Sequence, residues 1–379
     1  MIRVGIDLTA LLPMATGVDM ALRGFVSALA AIDAETRYTI FVNREDRGLG
    51  DSLPANFELR TPCRRPRLAR LAFQQLLLPA MAVAQRLDVV HSPSFIMPMI
   101  RGGARHLLTI HDMTSFSLPD YHIALRRSAA YRRAVIASIR RADLVTTPSE
   151  FVRRDLAAHV PGLPDDHVRV VRWGVGEQFR PRPEHEARAA LAHLGLPWPY
   201  VLYVGALQPR KNLAGLVEAY RRIVAAGDVA EHLVIAGPLA WDLDRLLPDL
   251  GAPGLRGRVH RTGYVRTADL PFLFAGARLF VYPSFGEGFG FPPLEAMACG
   301  VPTIAARGSS LVENLEGAAV LVPPSERDAL AAAMRSLLLD AGERRRWSAL
   351  GLERAARFRW HDSARRLREC YEELARRRR

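Results

Sequence analysis

The chain has 379 residues, of which 49% are apolar and 24% charged, more than one hydrophobic core usually holds, so two globular domains are predicted. Its 52 basic residues outnumber 39 acidic ones for a net charge of +13, and a single lysine, Lys211, stands among the arginines. Cys63, Cys299 and Cys370 are too widely spaced for a disulfide framework or a metal site, no apolar run reaches the ~18 residues of a membrane span, and no zinc-finger or ribonucleoprotein motif accompanies the basic charge, so nucleic acid is not an expected partner.

Met1-Ile-Arg-Val-Gly-Ile-Asp7 reads as a buried strand rather than a secretory leader, which predicts a cytoplasmic protein. From there, short β-branched runs alternate with helix-period segments. The first half predicts strands at Ile2–Asp7, Tyr38–Val42, Asp88–His91, His106–His111, Asp143–Thr147 and Val168–Trp173. Between the first two of these and Asp88 lies a basic cluster, Arg64-Arg-Pro-Arg-Leu-Ala-Arg70, followed by Phe73-Gln-Gln-Leu-Leu-Leu-Pro79. The leucines read as a core helix. The arginines read either as a solvated face or as a peripheral contact with an anionic membrane. Thr147-Pro-Ser-Glu-Phe-Val152 predicts a helix start capped by Ser149.

The pattern restarts near residue 200, after the Pro-rich stretch Gln178–Pro183. Strands are predicted at Tyr200–Gly205, His232–Gly237, Arg258–Gly263, Arg278–Pro283, Val301–Ala305 and Ala319–Val322, with helices at Leu213–Ala226, Pro293–Cys299 and Asp328–Leu339. Runs such as Val-Leu-Tyr-Val, apolar at consecutive positions, suit parallel strands covered on both faces. The prediction is an α/β chain of two Rossmann-like, doubly wound domains, 1–178 and 179–356, facing across a cleft that would hold the ligand. Residues 357–379 read as a C-terminal helix packing back on the first domain, capped by Asp362 or Ser363, with Phe358, Trp360, Leu367, Tyr371 and Leu374 on its apolar side.

Lys211 sits in Leu207-Gln-Pro-Arg-Lys-Asn212, just past a strand and a glycine, where a helix begins. A compact point charge kept at that turn, in a chain that otherwise uses arginine, points to a bound anion. The densest signal is Pro283-Ser-Phe-Gly-Glu-Gly-Phe-Gly-Phe-Pro-Pro-Leu-Glu295. Gly286, Gly288 and Gly290 permit a tight loop that brings backbone amides close to a ligand, and a helix start favours anions. Glu287 and Glu295 flank that loop. Carboxylates accept hydrogen bonds from sugar hydroxyls, so a ligand with both phosphates and hydroxyls, such as a nucleotide-sugar, fits the pattern.

Glu287 and Glu295, in Glu-Gly-Phe-Gly-Phe-Pro-Pro-Leu-Glu, together with Gln208-Pro-Arg-Lys-Asn212, resemble the signature of the retaining glycosyltransferases of family 4, which have the GT-B fold. The resemblance covers almost the whole chain. It implies that Arg210 and Lys211 hold the donor diphosphate, that Glu287 contacts the transferred sugar, and that Gly288, Phe289 and Gly290 line the sugar and diphosphate pocket with Gly205. Glu295 would accept from the ribose hydroxyls, and Gly263, Tyr264 and Val265 would meet the nucleobase. In the first half, Thr16-Gly17-Val18 lies where the family has a glycine loop near the diphosphate, although Asp19 replaces the glycine usual there. Leu108-Thr-Ile-His-Asp-Met113 resembles the strand end that carries the family's active-site histidine. His111 would therefore hydrogen-bond the donor sugar, with Asp112 as an alternative partner.

The resemblance implies transfer of a sugar from a nucleoside diphosphate to a saccharide acceptor with retained configuration, domain closure, no cofactor and no metal. The Gln-Pro-Arg-Lys-Asn form is similar to mannosyltransferases of bacterial surface polysaccharides. It implies GDP-mannose as the donor, a lipid-linked saccharide as the acceptor, and work at the inner membrane face. Alternative readings are a GT-B-like sugar-nucleotide epimerase, a pyridoxal phosphate enzyme using Lys211, and a non-enzymatic polyanion binder.

Overall fold

The structure is a computed structural model and describes residues 1–11, 17–50, 53–63, 67–122, 128–240 and 254–378. It comprises two compact units, Met1–Gly174 with Arg359–Arg379, and Val175–Phe358.

Among the described residues, the first unit is built on a seven-stranded parallel sheet of order β3-β2-β1-β4-β5-β6-β7. The strands are β1 (Arg3–Asp7), β2 (Arg37–Asn43), β3 (Phe57–Cys63), β4 (Val89–Ser92), β5 (Arg105–Thr109), β6 (Leu144–Thr147) and β7 (Val168–Val170). β4 and β6 are buried at every residue, as continuous apolar runs covered on both faces should be. β3 was not predicted. Its sequence, Phe57-Glu-Leu-Arg-Thr-Pro-Cys63, alternates buried and open residues and carries a proline, both tolerable because the strand lies at the sheet edge.

The helix Trp360–Arg378 packs on the helix Gly17–Ile32 and on β4 and β5. Gly24 makes this approach close: a Cβ there would lie 2.4 Å from Trp360 Cζ2, while the Trp360 ring meets Phe25 edge-on at 5.2 Å. Deeper in, Tyr371 Oη and His91 Nδ1 are 2.8 Å apart, and His91 Nε2 is 2.7 Å from Thr109 Oγ1, which meets Thr146 Oγ1 at 2.7 Å. Burial, helped by nearby His111, pushes the His91 pKa down to about 3, so this chain of bonds is held by a neutral ring.

Three local readings need correction. Asp362 and Ser363 do not cap the last helix, which begins earlier, at Trp360; the Ser363 hydroxyl instead donates to the Arg359 carbonyl one turn back at 3.1 Å. Phe358 precedes the helix and packs on Phe289 in the second unit, ring centroids 5.8 Å apart. Leu76 and Leu77 are 64% and 52% exposed rather than core, although Leu78 is buried.

The second unit carries a six-stranded parallel sheet of order β10-β9-β8-β11-β12-β13. Its strands are β8 (Tyr200–Val204), β9 (His232–Ala236), β10 (Val259–Gly263), β11 (Leu279–Tyr282), β12 (Thr303–Ala306) and β13 (Val320–Val322). The chain winds outward from β8 in one direction and from β11 in the other. Loops leaving the carboxyl ends of these two neighbours therefore diverge, and in doubly wound sheets such a reversal is where ligands bind.

Candidate functional site

β8 and β11 deliver the strongest sequence signals to the same place. After β8 the chain makes a short 3₁₀ turn, Pro209–Lys211, and enters the helix Leu213–Ala225 through Asn212, which takes left-handed φ of 54°. Asn tolerates that conformation better than most side chains. Its amide donates to the carbonyls of Pro283 (3.1 Å) and Pro324 (2.7 Å), and the Phe285 N–H donates to the Arg210 carbonyl at 2.9 Å. The loops after β8 and β11 are thus stitched together, which fixes Arg210 and Lys211 against Glu287.

Glu287 is nearly buried, and its Oε1 atom gathers four partners. Lys211 Nζ donates to it at 2.7 Å, Ser284 Oγ at 2.6 Å and Tyr282 Oη at 3.1 Å, while Arg210 Nη1 stands 3.2 Å away. Lys211 also donates to Tyr282 Oη at 2.7 Å. Burial alone would raise the Glu287 pKa, but Lys211 and Arg210 outweigh it and hold the carboxyl at about 2. Burial and the Glu287 charge push the Tyr282 pKa well up, so its hydroxyl stays protonated. Two cations against one carboxylate leave this cluster net positive. The Oε2 atom takes part in none of these contacts.

The loop after Glu287 is pinned by the helix Ser309–Leu315. Ser310 Oγ donates to the Glu287 carbonyl at 2.9 Å, and Asn314 Nδ2 to the Phe289 carbonyl at 2.7 Å. Gly290 has φ of 88°, and a Cβ there would lie 2.5 Å from Leu311 Cδ2. It precedes the helix Phe291–Ala298, where Glu295 lies. Pro292 and Pro293 carry no N–H, so the amides this helix start can offer a ligand are those of Gly290 and Phe291. Glu295 is buried, and that burial raises its pKa to about 8.

The remaining candidates in this unit line the carboxyl ends of its strands. Gly205 follows β8 and Gly263 ends β10; between them Gly237 has no room for a side chain, since a Cβ would stand 2.0 Å from the Gly205 carbonyl oxygen. Tyr264 is 43% exposed, while Val265 is buried. In the first unit, His111 lies two residues past β5, buried between Phe95 (5.8 Å) and Trp173 (5.4 Å), with Nε2 2.9 Å from the Pro93 carbonyl oxygen. Asp112 accepts from the Thr114 N–H and hydroxyl. Gly17 and Val18 open the helix Gly17–Ile32, and Thr16 lies outside the described residues. Ser149 caps Glu150–His159, accepting from the Val152 N–H at 3.2 Å, a structural role.

Sequence reasoning missed Tyr282, Ser284, Ser310 and Asn314. Tyr282 and Ser284 flank the Pro283 that opens the glycine-rich segment, so their position carried a signal. Ser310 and Asn314 act from a helix remote in sequence, and nothing local marks them.

Residues 16–179 match the family Glycosyltransferase Family 4, and residues 198–340 match Glycosyl transferases group 1. An O-antigen chain mannosyltransferase B of Escherichia coli is 34% identical over 72% of this chain and 71% of its own length. A serotype-specific mannosyltransferase WbdA of Escherichia coli is 29% identical over 60% of this chain, but over 28% of its own length. Among solved structures, a sucrose-phosphate synthase from Thermosynechococcus elongatus superposes with a TM-score of 0.78 at 22% identity, covering 99% of both chains. Anabaena Alr3699/HepE in complex with UDP-glucose gives a TM-score of 0.77 at 17% identity, over 98% of this chain and 100% of its own. With two Rossmann-like sheets of matching order and these relatives, the chain has the GT-B fold and belongs to the family 4 glycosyltransferases.

Proposed function

We propose that this glycosyltransferase moves mannose from GDP-mannose to a saccharide acceptor with retained anomeric configuration, in the synthesis of a surface polysaccharide. The observation that carries the reading is the buried Arg210–Lys211–Glu287 cluster at the strand reversal of the second unit. Diphosphate needs fixed cations, and a sugar hydroxyl needs a fixed carboxylate; this cluster offers both within one network. The relatives named as mannosyltransferases support mannose, and the O-antigen relative supports a polysaccharide acceptor, which we take to be lipid-linked.

In the proposed reaction the bond from the anomeric carbon to the diphosphate oxygen breaks, and the acceptor oxygen bonds the same carbon from the same face. The acceptor proton passes to the leaving diphosphate. Negative charge grows on that leaving group, and Arg210 and Lys211 stabilise it from positions set before reaction. They supply the charge a divalent metal supplies elsewhere, so turnover is proposed to need none. Glu287, with Oε1 occupied by its own partners, would present Oε2 to a sugar hydroxyl. Glu295 would meet the ribose, Gly263, Tyr264 and Val265 the base, and His111 the transferred sugar.

The test is direct. A thermal-shift panel should show stabilisation by GDP and GDP-mannose beyond that by UDP or dTDP sugars. Lys211→Ala should lower turnover by roughly a hundredfold or more, since it removes a preorganised donor to the leaving group. Near-normal turnover of that variant would sink the assignment. Activity undiminished by EDTA would support metal independence, and isomerised nucleotide-sugar in the absence of acceptor would instead favour an epimerase.

A further inference from the structure

His232 opens β9, and His260 is the second residue of β10, the strand at the sheet edge. The two strands run parallel, with Leu233 opposite Val259 and Val234 opposite His260. Side chains alternate between faces along a strand, so His232, two residues before Val234, shares a face with His260. The rings meet there, centroids 5.1 Å apart and planes tilted by 57°, with His232 Nδ1 3.1 Å from His260 Nε2. The turn Leu255–Arg258, closed by the Arg258 N–H on the Leu255 carbonyl at 2.9 Å, brings in a third atom. It is the Gly257 carbonyl oxygen, 3.1 Å from His260 Nε2 and facing His232 as well.

A shared proton can serve this corner, and a metal ion can take its place. Two nitrogens 3.1 Å apart subtend about 100° at an ion about 2.0–2.1 Å from each, close to the angles of tetrahedral and octahedral sites. The ligating form of imidazole is the neutral one. Burial, with Arg258 and His260 adding to it, lowers the His232 pKa and so favours that form. Arg258, whose charge opposes a cation here, is engaged by the carbonyls of Val229 at 2.7 Å and Glu231 at 3.2 Å. A cavity of 310 Å³ lined by Leu196, Pro197, His260 and Thr262 gives a route from solvent to the His260 ring. Among the described residues, no three His, Cys, Asp or Glu side chains gather at a metal-ligating spacing. An ion at this corner would therefore complete its shell with water and exchange readily.

We propose that His232 and His260 form a two-histidine site for a transition-metal dication of the Zn²⁺, Ni²⁺ or Cu²⁺ class, with the Gly257 carbonyl as third ligand. Imidazole nitrogen suits these ions. Mg²⁺ and Ca²⁺ prefer oxygen and should be refused. The ion would clip the edge strand β10 to β9 at their amino ends and so stabilise the second unit. The Arg210–Lys211–Glu287 cluster stands at the carboxyl ends of the same sheet. The metal site is therefore separate from the sugar-transfer chemistry, and it neither depends on that reading nor alters the metal independence proposed for turnover.

The test is thermal unfolding and calorimetric titration of the full, untagged chain after EDTA treatment and dialysis. Saturating Ni²⁺ or Zn²⁺ should raise the thermal midpoint by about 2–4 °C, and Mg²⁺ should leave it unchanged. The titration should count one ion per chain. His260→Ala, at a partly exposed position, should fold with the metal-free midpoint of wild type, lose the metal-dependent rise and weaken binding by about tenfold or more. His232→Gln should do the same. His361→Ala, at an exposed histidine elsewhere, should keep the full response. No rise in the wild-type chain, an equal rise in His260→Ala, or an equal rise with Mg²⁺ overturns the proposal. Sugar transfer by the EDTA-treated chain should be unaffected by His260→Ala. A chain that binds Ni²⁺ through these histidines yet transfers no sugar would sink the enzymatic reading and leave this one standing.

Discussion

Glu287 and Glu295 come from one short stretch of chain, yet their surroundings hold them in opposite protonation states. Two cations and two hydroxyls keep Glu287 ionised down to about pH 2, whereas burial keeps Glu295 protonated up to about pH 8. The consequences for stability have opposite signs. Glu287 contributes stability above the ordinary glutamate range near 4.5, and loses it as pH falls toward 2. Glu295 contributes fully below that ordinary value and loses its contribution as pH rises toward 8. Glu295→Gln should therefore raise the thermal midpoint more at pH 8 than at pH 5, which calorimetry in two buffers would show; an equal shift at both would refute the burial argument. Tyr282 is the other residue with a sharp test. Tyr282→Phe removes the hydroxyl that bridges Lys211 and Glu287 but keeps the ring stacked on Tyr203 at 5.8 Å. It should cut kcat/KM by about tenfold, a lost charge-assisted hydrogen bond, while the fold stays intact. The charged members of this cluster were legible in the sequence because a lone lysine and paired glutamates stand out. The hydroxyls were not, because a tyrosine ending a strand looks like core until its oxygen is placed.

Among the elements, the glycine-rich loop and its helix show what chain geometry demands. Gly290 combines left-handed φ with a neighbour that leaves no space for a methyl group. Gly290→Ala should therefore lower stability by about 1–3 kcal/mol and weaken donor binding, measurable as a lower urea midpoint and a higher KM. Normal values for both would mean the loop can rearrange. Strand positions were largely readable, since runs such as Leu-Val-Ile-Ala at 233–236 have no other comfortable home than a doubly covered sheet. β3 escaped because an edge strand needs only one apolar face and accepts Pro62, so its pattern resembles a loop. The leucines at 76 and 77 were misplaced for a related reason: periodicity in an apolar helix gives no hint of which face the core will take. The cap of the last helix was misplaced because Trp360, where the helix begins, is fixed by Gly24, far away in sequence.

For the molecule as a whole, the last helix matters more than its position suggests. Tyr371 supplies the hydrogen bond at His91 Nδ1, from which the buried line runs through Thr109 to Thr146. Tyr371→Phe leaves that ring nitrogen facing a hydrocarbon edge and should cost about 1–3 kcal/mol, read as a drop in thermal midpoint. A midpoint within error of wild type would show that the line is dispensable. Because Arg359–Arg379 completes the first unit, the polypeptide leaves that unit at Gly174 and rejoins it only after Phe358. On the ribosome, then, the second unit can finish folding while the first still waits for its closing helix. Until that helix emerges, Tyr371 and the apolar face it brings cannot cover the His91 side of the nascent sheet, which leaves that surface open to unwanted association.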